Sequence, residues 1–323
     1  MRRRDFIAGL GAAAVGPHAV QAQQSMPVIG YLHGQKANGF GFRLEYFRQG
    51  LKEEGFIEDR NVRIEYRWAN NKLHLLPELA ADLIRRKVSV IVAPDGSTSP
   101  LAARAVTSSI PILFVMGADP IKLGLVESLS RPGGNVTGVT TILLDLGGKR
   151  LELLAQLAPQ AMRIGYIVDT RGPNRGETVT NAAAQALGRK IIAVDVQAEE
   201  DLDKAFAKCI ESGATALLIN QGVMFTGSRD KIVKLAANHK LPAIYPFRQY
   251  VVDGGLMSYG GADKEAHRLS GAYAGRILKG EKTAELPVQQ PTRFEFVINL
   301  KTARTLGISV PPNMLALADE VIE

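Results

Sequence analysis

The chain is poor in cysteine and in tryptophan, with one of each among 323 residues. The single cysteine, Cys209, excludes an intrachain disulfide, and its spacing from Phe206 and Ile210 in a helical pattern indicates a small buried hydrophobe. The motifs of zinc proteases, P-loop proteins and serine hydrolases are missing, and the histidines are too scattered to bind a metal. We therefore expect no catalytic residue, no metal site and no cofactor.

Basic clusters and long apolar runs are also missing after the first 22 residues. Lysine and arginine alternate with acidic residues, so the net charge of +7 forms no stripe that would bind nucleic acid. No later segment has the roughly 20 consecutive apolar residues of a membrane-spanning helix. With 46% hydrophobic and 22% charged residues the composition is globular, and the length suits about two domains.

The N-terminus has the three parts of an export signal. Arg3 and Arg4 precede Phe6 and a run rich in alanine and glycine, and small residues around Ala22 suit cleavage. Paired arginines followed by Phe-Ile resemble the twin-arginine signal, which a receptor reads as an address. We expect residues 1–22 to be removed and the mature protein to lie in the periplasm without membrane insertion. The alternative is a disordered basic tail.

From residue 28 onward, strand patterns and helix patterns alternate. Strict alternation predicts mostly parallel sheets with right-handed crossovers, and the segment 114–141 interrupts it as a hinge between two lobes would. The predicted fold class is therefore α/β, with two doubly wound parallel-sheet lobes. Because ligands bind beyond the carboxyl ends of parallel strands, the exit loops of the two lobes should face each other across a cleft.

Polar residues occupy two exit loops of the first lobe. Asp119 is suited to pair with a ligand ammonium or to cap a helix, and the two roles are compatible. Ser97, Thr98 and Ser99 precede a predicted helix at 101–107, where hydroxyl and backbone N–H groups would bind a ligand carboxylate or only cap the helix. Around Asp119 the pattern predicts a strand at 112–116, a helix at about 121–129 and a strand at 136–141.

Aromatic residues at strand ends offer an apolar wall for a ligand. Tyr31, His33, Tyr245 and Phe247 have this position, although a single aromatic residue there is more often part of the core. Arg248 would face an anionic ligand or, as the alternative, solvent.

Four segments closely resemble signatures of one family of ABC-transporter substrate-binding proteins. They are RPGGNVTGV at 131–139, GGLMSYG at 254–260, FEFVINLKTA at 294–303 and ADEVI at 318–322. The resemblance runs in order through nearly the whole mature chain. It implies the type I periplasmic-binding-protein fold, with two lobes joined by three crossovers, and a function like that of members associated with tryptophan and tyrosine uptake.

The resemblance also implies a division of the chain and a set of ligand contacts. Lobe 1 would comprise 27–141 plus about 254–290, and lobe 2 would comprise 142–253 plus about 291–323. The implied contacts are Ser97, Thr98, Ser99, Asp119, Asn174, Asn220 and Gln221. Ile121 and Lys122 depart from the family's usual Val-Gly after the Asp-Pro pair, and the loop 260–263 is short, so the ligand is not specified.

We expect a monomer that captures a small molecule by lobe closure and delivers it to an ABC permease and its ATPase. The ligand would be an amino acid or an aromatic or organic acid. An alternative is a periplasmic ligand-sensing module for a signalling receptor, which neighbouring genes would distinguish from a transporter component. A further alternative is an enzyme using the same cleft, which would change its ligand where a binding protein returns it intact.

Overall fold

The computed structural model describes residues 26–141, 146–171, 177–261 and 263–323. The predicted export signal at residues 1–22 lies outside the described residues, as does its cleavage point near Ala22. Within the described ranges, no helix has both the length and the apolar composition needed to cross a membrane.

Strands and helices alternate through most of the described chain. The strands are β1 Val28–His33, β2 Arg63–Trp68, β3 Val90–Ala93, β4 Ile112–Met116, β5 Val136–Thr140, β6 Arg163–Asp169, β7 Lys190–Val196, β8 Ala216–Ile219, β9 Ala243–Tyr245, β10 Met257–Gly261, β11 Phe294–Asn299 and β12 Glu320–Ile322. The helices are α1 Gly41–Glu53, α2 Leu76–Arg85, α3 Thr98–Val106, α4 Gly147–Leu157, α5 Glu177–Ala186, α6 Leu202–Glu211, α7 Val223–Gly227, α8 Arg229–Asn238, α9 Arg248–Val252, α10 Asp263–Leu278, α11 Leu300–Thr305 and α12 Pro312–Leu317.

The first sheet has the strand order β2-β1-β3-β4-β5, and its pairs are parallel. Helices α2 and α3 pack on one face, and α1 and α10 pack on the other. Strand β3 is buried along its whole length, as its continuous apolar run predicts for a strand covered on both faces. The order reverses between β1 and β3, which marks the carboxyl ends of these strands as the place for a ligand.

The second sheet has the order β12-β11-β10-β9-β8-β6-β7. Its pairs are parallel except for β10 with β11. Helices α6, α8 and α9 contribute to the core on one face, and α4, α11 and α12 contribute to the core on the other. The predicted fold class of two parallel-sheet lobes is confirmed.

Three crossings join the two lobes. The first follows β5, the second lies between β10 and α10, and the third precedes β11. After α10 the chain still runs along the first lobe, because Thr137 donates from Oγ1 to the Leu286 carbonyl over 2.6 Å and the Gln289 N–H donates to the Gly138 carbonyl over 2.9 Å.

The predicted return to lobe 1 at about residue 254 is too early. Strand β10 lies in the second sheet, where Met257 pairs with Ile244 of β9 and with Ile298 of β11. Met257 is fully buried in the core of that lobe. The crossing therefore falls after Gly261, and α10 is the element that returns to lobe 1.

The predicted helix at about 121–129 is wrong, because residues 121–124 form a turn and the chain is irregular from 125 to 129. The Leu125 N–H donates to the Pro120 carbonyl over 2.9 Å, but Gly124 adopts a φ of 67°, which a right-handed helix excludes. Helix α3 also starts three residues before the predicted 101, at Thr98, so Thr98 and Ser99 belong to its first turn.

Candidate functional site

A cleft lies between the carboxyl ends of the two sheets, with a volume of about 790 Å³ that includes its open mouth. The first lobe lines it with Arg43, Val115, Met116, Gly117, Asp263 and His267, and the second lobe with Gln221, Gly222, Val223, Thr226, Phe247 and Phe294. Apolar atoms make up most of the cleft surface, and polar side chains from both lobes lie among them. This composition is typical of a site for a small organic molecule.

The lobes approach each other closely around the cleft. A Cβ atom added to Gly96 would lie 3.3 Å from Cγ2 of Val223, and one added to Gly117 would lie 3.4 Å from Nε2 of Gln221. Arg229 of the second lobe donates from Nη1 to the Gly39 carbonyl of the first lobe. The structure therefore has the two lobes in contact across the cleft.

An ion pair forms the polar centre of the cleft. Arg43, in the first turn of α1, donates from Nε and Nη2 to the two carboxylate oxygens of Asp263 over 2.8 and 3.0 Å. Asp263 is the first residue of α10, where the helix dipole favours a carboxylate. The two side chains are 7% and 16% exposed, so this pair is shielded from water.

His267 lies one turn along α10 from Asp263, on the same side of the helix. Its Nε2 is 3.5 Å from Oδ1 of Asp263, and its ring is almost fully buried. Burial lowers the pKa of His267, an effect that Asp263 only partly offsets, so the imidazole is neutral at pH 7. Burial also opposes the charge on Asp263, but Arg43 and His267 outweigh it and hold the pKa of this carboxyl below its usual range.

Three phenylalanine rings surround the Arg43 guanidinium. Its Cζ atom lies 5.5 Å from the centroids of Phe40 and Phe247 and 5.7 Å from that of Phe42. Phe247 belongs to the second lobe, so this cation–π contact spans the cleft and depends on the closeness of the lobes.

The predicted hydroxyl loop lies near the cleft, but its hydroxyl groups do not line it. Thr98 is exposed, Ser97 is half-buried, and Ser99 is buried behind the cleft wall. The loop contributes Pro94 and Gly96 to the lining instead. A carboxylate-binding role for Ser97, Thr98 and Ser99 stays a prediction.

The Asp119 side chain accepts hydrogen bonds from its own loop. Its Oδ1 accepts the N–H groups of Ile121 and Lys122 over 2.9 and 3.3 Å, which is the capping role, although it caps a turn instead of a helix. Asp119 is half-buried and lies two residues beyond Gly117, which does line the cleft. Asn174 lies outside the described residues.

The two predicted residues after β8 have different surroundings. Gln221 lines the cleft opposite Gly117, and its contact with a ligand stays a prediction. Asn220 is buried, and its Nδ2 donates to the Tyr166 hydroxyl over 2.7 Å, so it holds the strand end in place.

The aromatic strand ends mostly belong to the core, which was the alternative interpretation. Tyr31 and Tyr245 are 1% exposed, and His33 is fully buried against the rings of Phe40 and Trp68. The structure places these three predicted contacts behind the cleft wall, whereas Phe247 does line the cleft.

Arg43, Asp263 and His267 were not predicted as site residues. Arg43 lies in a helix whose apolar spacing predicts a core-facing side, which does not indicate a site residue. Asp263 and His267 lie in the first turns of another helix, and Asp263 is 220 residues further along the chain. The available signal was Asp263 and His267 at i and i+4, directly after a strand that ends at Gly261.

Two α/β lobes, three crossings and a cleft at the carboxyl ends of both sheets define the type I fold of periplasmic binding proteins. The sequence profile described as ABC transporter substrate binding protein matches residues 42–322. The chain belongs to this family of ABC transporter substrate-binding proteins.

Known proteins resemble the chain over most of its length. A tyrosine-binding protein of Clostridioides difficile (strain R20291) is 27% identical over 265 residues, which are 81% of this chain and 75% of that protein. The structure of an ABC domain in complex with L-Trp from Streptococcus pneumonia is 24% identical and has a TM-score of 0.80, over 92% of this chain and 100% of that one. A substrate-binding protein with adhesive properties from Clostridium difficile, in its ligand-free, open structure, is also 24% identical but has a TM-score of 0.61, over 92% of this chain and 99% of that one.

Proposed function

We propose that this protein is the periplasmic solute-binding component of an ABC importer. After export and removal of residues 1–22, it captures a small molecule by closing its two lobes and delivers it to a permease and its ATPase. The observation that carries the proposal is the cleft itself, which lies between two lobes linked by three crossing segments and has a mainly apolar surface around one ion pair.

An aromatic amino acid suits this cleft. Phe247, Phe294 and Met116 provide apolar surface for a ring, and Arg43 with Asp263 provides both signs of charge for the polar end. Two relatives support this choice, since one is a tyrosine-binding protein and the other was solved in complex with L-Trp.

Closure of the lobes is supported by their contacts and by their arrangement. The Arg229 side chain reaches Gly39 across the cleft, and Phe247 covers Arg43 from the opposite lobe. At equal sequence identity, the overall likeness is greater to the structure in complex with L-Trp than to the ligand-free, open one, with TM-scores of 0.80 and 0.61. This difference is what a closed arrangement would produce.

Titration of the purified mature protein with L-tyrosine and L-tryptophan tests the proposal. At a hundredfold excess over the dissociation constant, a ligand should stabilise the protein by about 2.7 kcal/mol. The Gln221→Trp substitution should fill the cleft and abolish this stabilisation by the ligand, because Gln221 lies directly opposite Gly117. The matched control is Gln185→Trp, on the exposed face of α5 in the same lobe. This variant should be stabilised by the ligand as much as the unmodified protein.

Analysis of the released ligand separates binding from catalysis. Chromatography and mass spectrometry should recover the amino acid unchanged after prolonged incubation. A chemically altered product would contradict the proposal, and so would a thermal shift of the Gln221→Trp variant equal to that of the unmodified protein.

A further inference from the structure

The charges in the cleft cancel each other. Of the described residues that line it, three are ionisable: Arg43, Asp263 and His267. Arg43 and Asp263 form a bidentate pair, and His267 is neutral at pH 7 because burial disfavours its charged form. A ligand that carries net charge would therefore enter a shielded site without a counter-charge, which is strongly unfavourable.

His267 carries a buried acceptor that lacks a partner. Its Nε2 faces the Asp263 carboxylate, so we assign the ring proton to Nε2 and an open lone pair to Nδ1. Within the part of the chain that the structure describes, Nδ1 is buried and has no hydrogen-bond partner. A ligand that donates an N–H to this lone pair would remove the cost of leaving it unpaired.

Arg43 keeps donor capacity of its own. Its Nε and Nη2 bind Asp263, and no hydrogen bond from Nη1 is found among the described residues. Nη1 is therefore available to a ligand carboxylate, and Asp263 can accept from a ligand ammonium with the lone pairs that Arg43 does not use.

We infer that Arg43, Asp263 and His267 make this cleft selective for a zwitterion over a ligand with a single charge. In this arrangement the ligand carboxylate accepts from Nη1 of Arg43. The ligand ammonium donates to the Asp263 carboxylate and to Nδ1 of His267. This inference rests on the proposed function, and it narrows the ligand class to amino acids at the expense of aromatic and organic acids.

Calorimetric titration with L-tyrosine and two of its analogues tests this selectivity. The analogues are 3-(4-hydroxyphenyl)propionate, which lacks the ammonium, and tyramine, which lacks the carboxylate. L-tyrosine should bind at least about a hundredfold more tightly than either, because each analogue leaves a buried group of the cleft without its partner. Binding of the deaminated acid within about threefold of L-tyrosine would overturn the inference.

The Asp263→Asn substitution gives a signature that a merely structural role would not produce. It leaves Arg43 with an uncompensated positive charge, so the preference should invert and the deaminated acid should bind more tightly than L-tyrosine. If the Asp263→Asn variant still binds L-tyrosine more tightly than the deaminated acid, the role assigned to the Asp263 carboxylate is wrong. The His267→Gln substitution should weaken binding of L-tyrosine about tenfold and leave binding of the deaminated acid unchanged.

Two further variants keep the test decisive. Arg43→Gln with Asp263→Asn keeps the cleft neutral, so it should fold even where a single unpaired charge prevents folding, and it should bind L-tyrosine no better than its deaminated analogue. Arg276→Gln is the control. Arg276 lies near the end of α10, away from the cleft, and the substitution breaks its 2.7 Å ion pair with Glu281, so the variant should keep the full selectivity. If no amino acid or analogue binds the unmodified protein, the proposed function fails; if all bind equally, only the selectivity fails.

Discussion

Asp95, just after β3, is buried next to an imidazole that cannot donate to it. The Asp95 Oδ2 atom accepts the N–H of Gly34, and Nδ1 of His33 lies 3.6 Å from it. That Nδ1 already accepts the N–H of Gln35 over 3.1 Å, so two acceptors face each other unless the carboxyl is protonated. Burial raises the pKa of Asp95 to about 7, although the Ser99 hydroxyl and the Gly34 N–H oppose the shift.

This shift predicts a pH dependence of stability. An unfolded aspartate titrates near 3.8, so between about pH 4 and 7 the folded chain holds a proton that the unfolded chain releases. The contribution of Asp95 to stability is therefore full below pH 4 and is lost as the pH rises toward 7, at a rate of at most ~1.4 kcal/mol per pH unit. Asp95→Asn should remove this slope while still accepting from Gly34. Urea unfolding at pH 5, 6 and 7 gives the free energy of unfolding of each protein. If this free energy changes with pH by the same amount in both proteins, the prediction is wrong.

At the scale of single residues, the sequence predicts the loops that form the cleft better than the side chains that line it. Strand alternation places Gln221 and Phe247 at strand ends facing the other lobe, and both line the cleft. Tyr31 and Tyr245 also lie in terminal halves of strands, but the helices covering each sheet bury them. Arg43 and Asp263 meet only because two helices far apart in the chain pack together, and no local pattern contains that contact.

Helices α1 and α10 pack at very short distance because glycines face the partner backbone. A Cβ atom added to Gly271 would lie 2.0 Å from the Phe47 carbonyl oxygen, and one added to Gly50 would lie 1.8 Å from the Arg268 carbonyl oxygen. Neither position has room for a methyl group unless the helices separate. Since α1 carries Arg43 and α10 carries Asp263, this close packing also sets the geometry of the ion pair in the cleft.

We expect Gly271→Ala to destabilise the protein by about 2 kcal/mol or more, because overpacking outweighs the roughly 1 kcal/mol that alanine gains in a helix. Affinity for the ligand should fall as well, since the ion pair spans the two helices. Gly41→Ala is the matched control, at the first residue of α1 with no atom within 4 Å of the added Cβ, and its stability should change little. Chemical unfolding and calorimetric titration give both quantities. A Gly271→Ala variant as stable as the control would contradict this account of the packing.

At the scale of elements, the predictions hold where burial and local pattern agree. The strands predicted at 112–116 and 136–141 match β4 and β5 to within one residue, because both strands are buried in the first sheet. The helix expected at about 121–129 fails because Gly124 adopts a left-handed conformation, which composition permits but does not require. The short helices α9 and α12 had no pattern long enough to predict them, and contacts in the second lobe stabilise them.

The two-lobed architecture follows from strand and helix alternation together with the resemblance, but the place of each crossing does not. The sequence pattern around β10 predicts a strand but does not specify the sheet to which it belongs. Its pairing with β9 and β11 assigns it to the second lobe. The crossing then passes directly from Gly261 to α10, whose first residue is Asp263. A polar group of the cleft, Asp263, thus lies two residues beyond the end of β10.

Arg229 of the second lobe contacts the first lobe at the side of the cleft, and the proposed opening of the lobes would break these contacts between the lobes. Asp253 of the same lobe orients it through a 2.5 Å ion pair, and from there it donates to the Gly39 carbonyl and lies 5.2 Å from the Phe42 ring centroid of the other lobe. A hydrogen bond from a charged group contributes about 1.5–3 kcal/mol. Its loss should shift the equilibrium toward the open form and weaken ligand binding about tenfold or more.

The Arg229→Ala variant should therefore keep its fold by circular dichroism, lose affinity, and show a smaller decrease in radius of gyration on ligand addition in small-angle scattering. Arg229→Lys should recover only part of the affinity, because a single ammonium cannot bind Asp253 and Gly39 with the fork geometry of a guanidinium. Lys231→Ala, which breaks an ion pair with Asp203 within the second lobe, is the control and should behave like the unmodified protein. If the Arg229→Ala variant binds and compacts as the control does, the lobes are held closed by the ligand and by the crossings alone.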